Sequence, residues 1–264
     1  MTVYCINRKG DDMPVDPRQA AFVDRFAQGS GGKLISLESA RKLPVEDEWC
    51  IRGMKFAKAV QECWQSGRKF YYIDNGYFGN VVSKRWFRII TNHVHEIRPV
   101  ISRDNSRLEQ FNLELSKFTP GSRILLAPPS DKSLSMWNMT SQQWINDTVE
   151  QLKKYTDRPI DIRLKRPRTE RLKHNTMQEA LNNDVHCLVT YNSVSAVEAV
   201  IMGKPAICLG PNAAAVVSST SLADIENPRR PTDDERWAWL RHLSYSQFDF
   251  DEISNGTAWR ILNE

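Results

Sequence analysis

Between residues 123 and 209, four short apolar runs alternate with three segments whose apolar residues recur at helical spacing. The runs lie at 123–127, 160–164, 186–190 and 205–209, and the amphipathic segments at 141–155, 176–183 and 195–202. In the first of these segments Trp144, Ile145, Val149 and Leu152 share one side, and in the second Met177, Ala180 and Leu181 do. Strands separated by helices cannot be joined by tight hairpins. They form a parallel sheet with right-handed crossovers. An α/β fold is therefore expected for the second half.

The first half follows the same logic with shorter elements. Strands are expected at 3–6, 33–36 and 69–73, with a return to the sheet near 85–92. Residues 17–27 carry Ala20, Ala21, Phe22 and Phe26 at helical spacing, with Asp16 as a cap, and Gly29-Ser30-Gly31-Gly32 reads as the break after them. A second helix is expected at 55–65, ending near Gly67, while 46–53 reads either way. Residues 97–120 look like a connection with a helix at 108–118, and Thr119-Pro120-Gly121 is the strongest punctuation in the chain. The expected division is thus 1–120 and 121–264, with helices at 232–243 and 248–262 closing the second domain.

No apolar run approaches the roughly 18 residues needed to span a bilayer. Apolar Val3–Ile6 precedes Arg8 and Lys9, the reverse of a secretory leader. The five cysteines form no C-x-x-C pair and read as reduced core thiols. A cytoplasmic protein without a membrane span is expected. The net charge of +4 permits contact with phosphate without demonstrating it. Eight tryptophans leave room for an exposed stacking surface beside the core.

Ligands of open parallel sheets bind beyond the carboxyl ends of the strands. In the second half those ends carry Ser130, Asp131, Lys132 and Ser133, then Lys165, then Tyr191, Asn192, Ser193 and Ser195, then Gly210, Pro211 and Asn212. A helix opening at Ser193 and Ser195 would turn free N–H groups and a positive dipole end toward a phosphate. Glu198, about one turn in, reads either as a partner for the two hydroxyls of a ribose or as a solvent-facing glutamate near a helix N-terminus. The stretch Arg163, Lys165, Arg166, Arg168, Arg171, Lys173 is the densest basic run, suited to clamping phosphates or simply solvated. There is no Walker A loop, no G-x-S-x-G and no G-x-G-x-x-G, which speaks against kinase, hydrolase and dehydrogenase chemistry.

The stretch Val189-Thr190-Tyr191-Asn192-Ser193-Val194-Ser195-Ala196-Val197-Glu198-Ala199, followed by Met202-Gly203-Lys204-Pro205-Ala206-Ile207, resembles the donor domain of GT-B glycosyltransferases of the capsule-polysaccharide and bacteriophage types. The resemblance covers roughly the second half. It implies two Rossmann-like parallel-sheet domains facing across a cleft, in a compact GT-B-like arrangement. It implies a nucleotide-sugar co-substrate, a UDP-sugar first, with no tightly bound cofactor and no metal. Donor binding would then involve Ser130, Lys132, Arg163, Lys165, Tyr191, Ser193, Ser195, Glu198 and Gly210. Glu198 would hold the ribose, Ser193 and Ser195 the phosphate, and Arg163 and Lys165 the departing diphosphate.

The first half would hold the acceptor. Asp74, in Tyr72-Ile73-Asp74-Asn75-Gly76 at a strand end, suits a base that removes the acceptor proton, or is a plain turn residue. Tyr77 and Phe78 suit stacking on a sugar or base. His93 and His95, two apart, would share one face of a strand, and with Arg88 complete the acceptor set. The small size and mild positive charge resemble phage enzymes that glycosylate 5-hydroxymethylpyrimidines in DNA, with Arg85, Arg88, Arg98 and Arg103 along the DNA backbone. Alternatives are a polysaccharide or lipid-linked acceptor, another group transfer to modified bases, and a DNA-binding protein without catalysis.

Overall fold

The computed structural model describes residues 2–80, 85–165 and 176–264. The chain forms two compact units, Met1–Glu96 with Ser244–Glu264, and Ile97–Leu243.

The first unit is built on β1 (Val3–Arg8), β2 (Lys33–Ser36), β3 (Glu48–Arg52), β4 (Phe70–Asn75) and β5 (Phe87–Thr91). Its helices are α1 (Pro17–Ser30), α2 (Leu37–Ala40) and α3 (Ala57–Ser66). Strands β2, β1, β3 and β4 are parallel neighbours in that order. The expected return to the sheet is β5, antiparallel to β4, with Asp74 opposite Arg88. Pro17 opens α1 with its φ already helical, and the Asp16 carbonyl accepts from the N–H groups of Gln19 and Ala20 at 2.8 and 3.0 Å. The helix does not stop before Gly29, as the glycine-rich stretch implied. It runs to Ser30 and ends at Gly31, whose φ is +67°. Gly29 is there for packing, since a Cβ on it would lie 2.1 Å from the Ile253 carbonyl oxygen.

The second unit carries β6 (Arg123–Leu126), β7 (Ile160–Ile162), β8 (Val185–Thr190) and β9 (Ala206–Cys208). Between and after them lie α4 (Asp131–Leu134), α5 (Ser141–Leu152), α6 (Met177–Asn182), α7 (Ser195–Ile201) and α8 (Asp233–Ser244). All pairings in this sheet are parallel, in the order β7-β6-β8-β9. Ile124, Leu126, Cys187, Val189 and Ile207 form one core with Leu134, Trp144, Ile145 and Leu152. Thr176 starts α6 with a reciprocal cap, its Oγ1 accepting from Glu179 N and its own N–H donating to Glu179 Oε2.

Four expectations are corrected by packing. The connection belongs wholly to the second unit, so the units divide at 96/97 and not at 120/121. Its expected helix at 108–118 is a single 3₁₀ turn, Leu108–Phe111. The remainder is pinned instead: Ser116 N donates to Ile201 O at 3.0 Å and Thr119 N to Gly203 O at 3.2 Å. Buried Arg236 on α8 donates to the carbonyls of Ser116 and Val200 at 2.8 and 3.1 Å. The C-terminal residues belong to the first unit. Instead of one helix at 248–262 there are β10 (Gln247–Phe248), α9 (Phe250–Ser254) and α10 (Thr257–Leu262). Gly256, with φ +86°, separates the two helices, and β10 pairs antiparallel with β5. Phe248, Ile253 and Ala258 join Val23, Phe26 and Tyr71 in the core.

All five cysteines are buried free thiols. Of the eight tryptophans, Trp49, Trp86, Trp144 and Trp239 are buried, and the other four are half-buried. No helix among the described residues is long and apolar enough to cross a membrane.

Candidate functional site

In each sheet the parallel strands run in the order second, first, third, fourth, so each reverses direction of winding between its first and third strands. In the second unit this point lies between β6 and β8. Beyond it the two strand ends are tied by Thr190 Oγ1, which donates to Ala127 O at 2.6 Å. Strand order alone brings the nine expected donor residues to one edge. Ser130 and Lys132 follow β6, Arg163 and Lys165 follow β7, Tyr191, Ser193, Ser195 and Glu198 follow β8, and Gly210 follows β9. Arg166, Arg168, Arg171 and Lys173 of the basic run lie outside the described residues.

Glu198 and Arg163 are brought within electrostatic reach of each other from opposite sides of β6. Glu198 is half-buried, contrary to a solvent-facing position. Burial pushes its carboxyl up from the ordinary 4.5 to about 7, against the pull of the Arg163 guanidinium. The Tyr191 ring lies on Gly210, where a Cβ would sit 2.5 Å from ring carbons, and meets the edge of Trp137 with centroids 5.4 Å apart. Burial also raises the Tyr191 hydroxyl pKa. Lys132 and Lys165 are exposed, and Ser130 is half-buried.

The start of α7 differs from the expectation of free N–H groups. Ser195 N donates to Ser193 Oγ at 3.3 Å, Ala196 N to Ser193 O at 3.3 Å, and Val197 N to Val194 O at 2.9 Å. The buried polar groups here without a partner among the described residues are side-chain atoms. Ser195 Oγ and the Asn192 amide nitrogen are buried, on residues each 3% exposed, and neither has a hydrogen-bond partner among the described residues. Asn192 Oδ1 accepts from Ser133 Oγ at 3.1 Å, bridging the β8 and β6 loops. Asn212 Nδ2 donates to Ser193 O at 2.9 Å, bridging the β9 and β8 loops. Sequence reasoning placed Asn192, Ser133 and Asn212 in these loops without a role. Asn192 and Asn212 are buried and Ser133 half-buried, a signal that does not exist in one dimension.

The Gly-Lys-Pro segment serves the fold at the other end of the sheet. Gly203 has φ +68°, and a Cβ there would meet Lys117 O at 2.1 Å. Lys204 is buried and donates from Nζ to Thr119 Oγ1 at 2.7 Å.

In the first unit the expected acceptor residues are mostly engaged internally. Asp74 receives Arg52 Nη1 at 3.2 Å, Arg88 Nη2 at 3.5 Å, the Tyr72 hydroxyl at 3.1 Å and Asn75 N at 2.8 Å. Burial alone would raise its carboxyl pKa, but the Arg88 and Arg52 charges, aided by those hydrogen bonds, carry it below the usual range. A carboxylate so held is an anchor for arginines and a poor proton acceptor. Tyr77 and Phe78 are buried, not set out for stacking. The Tyr77 hydroxyl accepts from Glu96 N at 2.7 Å, and its ring stacks on His95. Arg88 is 4% exposed and donates to the carbonyls of Val94 and Asn75 at 3.1 and 2.7 Å. It has no free face for an acceptor. His93 and His95 follow β5 in a turn begun by Asn92 at φ +61°, so the strand geometry expected for them does not apply. His95 is buried. His93 is half-buried against Trp64, and its Nδ1 receives His95 N at 3.1 Å. Burial lowers the His93 pKa, opposed by the contact with His95. Arg85 pairs with Asp249 at 3.4 Å.

No family model matches the chain, and no curated protein matches it. Two of the solved structures similar to it match along its full length. One is titled Thermosulfurimonas dismutans KpsC, beta Kdo 2,4 transferase. It has 12% identity and a TM-score of 0.50, covering 99% of this chain and 98% of that one. The other is titled Thermosulfurimonas dismutans KpsC, beta Kdo 2,7 transferase. It has 11% identity and a TM-score of 0.53, covering 100% and 99%. At such identities the likeness speaks to fold, and the fold is the expected α/β one with Rossmann-like sheets, GT-B-like in kind.

Proposed function

We propose that this protein is a glycosyltransferase that takes a sugar from a nucleotide-activated donor bound at the carboxyl edge of the second sheet. The observation that carries the reading is a half-buried Glu198 beside Arg163 at the winding reversal, next to the unpartnered Ser195 Oγ and Asn192 Nδ2. Vicinal hydroxyls of a ribose suit the carboxylate. Phosphate oxygens suit the serine hydroxyl, the amide N–H and the cations. As the bond to the sugar breaks, negative charge grows on the departing phosphate, and Arg163, Lys165 and Lys132 are the side chains to stabilise it.

The acceptor we favour is a glycan hydroxyl. Both structural neighbours are named as Kdo transferases. Arg88, expected along a DNA backbone, is committed inside its own unit. Transfer to 5-hydroxymethylpyrimidines in DNA has no such support. Kdo donors therefore join UDP-sugars at the head of any donor panel.

A ligand that binds only the native state raises its melting temperature by mass action. Melting in the presence of nucleotides, UDP-sugars and an activated Kdo donor tests the reading. A selective rise that disappears in Glu198→Ala is expected. No rise with any of them at millimolar concentration would overturn it.

A further inference from the structure

The first unit has its own winding reversal, between β1 and β3, and that edge is finished by polar side chains. Between Ile6 and Arg8, β1 gains one residue over β2, so Asn7 sits at a β-bulge. Bulges at strand ends re-aim side chains and concentrate near functional sites. Asn7 is 5% exposed, and its Oδ1 has no hydrogen-bond partner among the described residues. Gln19 lies in the first turn of α1, one and two turns before Val23 and Phe26 on the face packed against the sheet. It is 9% exposed, and its Oε1 is likewise unpartnered. Arg52 ends β3, two residues beyond the Cys5–Cys50 pairing and so level with Asn7. Its guanidinium lies 4.3 Å from the ring centroid of Phe22, one turn along α1 from Gln19. Nη1 of Arg52 is held by Asp74 at 3.2 Å, while Nε has no hydrogen-bond partner.

Leaving three such groups unsatisfied is costly. Together they select a chemistry. An anion would suit Arg52 but be repelled by two carbonyl oxygens, and a cation the reverse. A hydroxyl both donates and accepts, so it serves all three. We propose that Asn7, Gln19 and Arg52 form a subsite for a neutral polyhydroxy ligand, a sugar ring with adjacent hydroxyls. Asp74 is the positioning residue that holds Arg52 in place. The biological sense of the subsite, an acceptor sugar, rests on the glycosyl-transfer reading. Its chemistry does not.

Saturation-transfer NMR on the full chain tests it, with galactose, N-acetylglucosamine and ribose as probes at tens of millimolar. Saturation of at least one sugar is expected. Its affinity should fall about tenfold or more in Gln19→Met and in Asn7→Leu, about 1.4 kcal/mol or more by the usual conversion. Removing an unsatisfied buried amide should leave the melting temperature unchanged or raise it. Should Gln19→Met not fold, Gln19→Asn withdraws the amide by one methylene and must weaken the same sugar. No saturation of any probe, or saturation unchanged in these variants, overturns the subsite. Nucleotide binding, read separately through Glu198→Ala, distinguishes failure of this proposal from failure of the glycosyl-transfer reading.

Discussion

Replacing Glu198 by glutamine should make the protein more stable at neutral and alkaline pH and leave it nearly unchanged in acid. The carboxyl is raised from 4.5 to about 7, first by burial, with Arg163 opposing. Below the unfolded value both states carry the proton, and wild type has its full stability. From there to about pH 7 the unfolded chain releases a proton that the folded chain keeps, so stability falls as pH rises. Above about pH 7 the folded carboxyl is ionised too, and the loss levels off. At about 1.36 kcal/mol per pKa unit, the plateau is about 3 kcal/mol. Glutamine keeps the shape of the protonated acid and has no such dependence. Urea unfolding of wild type and Glu198→Gln from pH 4 to 9 reads the difference directly. It should grow between pH 4.5 and 7 and stay flat beyond. A difference that does not vary with pH would refute the argument that burial dominates at Glu198.

Asp74→Ala should lower stability by about 3–5 kcal/mol, because Arg88 and Arg52 would lose their shared counter-charge. The raised-above-acid benefit of Asp74 should vanish as pH falls through its depressed pKa, and a variant that loses turnover while unfolding normally would restore the proton-acceptor role. Gly29→Ala should cost about 1–3 kcal/mol or more by forcing α1 away from the Ile253 carbonyl, measured by thermal unfolding. Gly210→Ala should displace the Tyr191 ring and weaken nucleotide binding in the melting assay.

The division between the two levels of information runs through particular residues. Alternating strand and helix patterns between 123 and 209 fixed a parallel sheet, because a short chain with that periodicity has few other ways to bury its apolar faces. Strand ends then followed, and with them the edge holding Glu198, Arg163 and Tyr191. Helices beginning at 176 and 232 were legible for the same reason, since the caps that Thr176 and Thr232 provide are contacts only three residues long. Gly29 was not legible: glycine in a helix reads as a break unless the Ile253 carbonyl, far along the chain, is known to press on it. Nor was the return of the C-terminal residues to the first unit, which depends on Phe248 and Ile253 finding a core built by α1 and β4. Asp74, Arg88, Tyr77 and His95 have the residue types of a reactive site, and types are all a sequence displays. Whether a carboxylate accepts protons or anchors two arginines depends on burial and on charges brought close by pairing of β4 with β5. Local periodicity determined the scaffold, and long-range contact decided which polar groups are paired inside it and which are left without a partner.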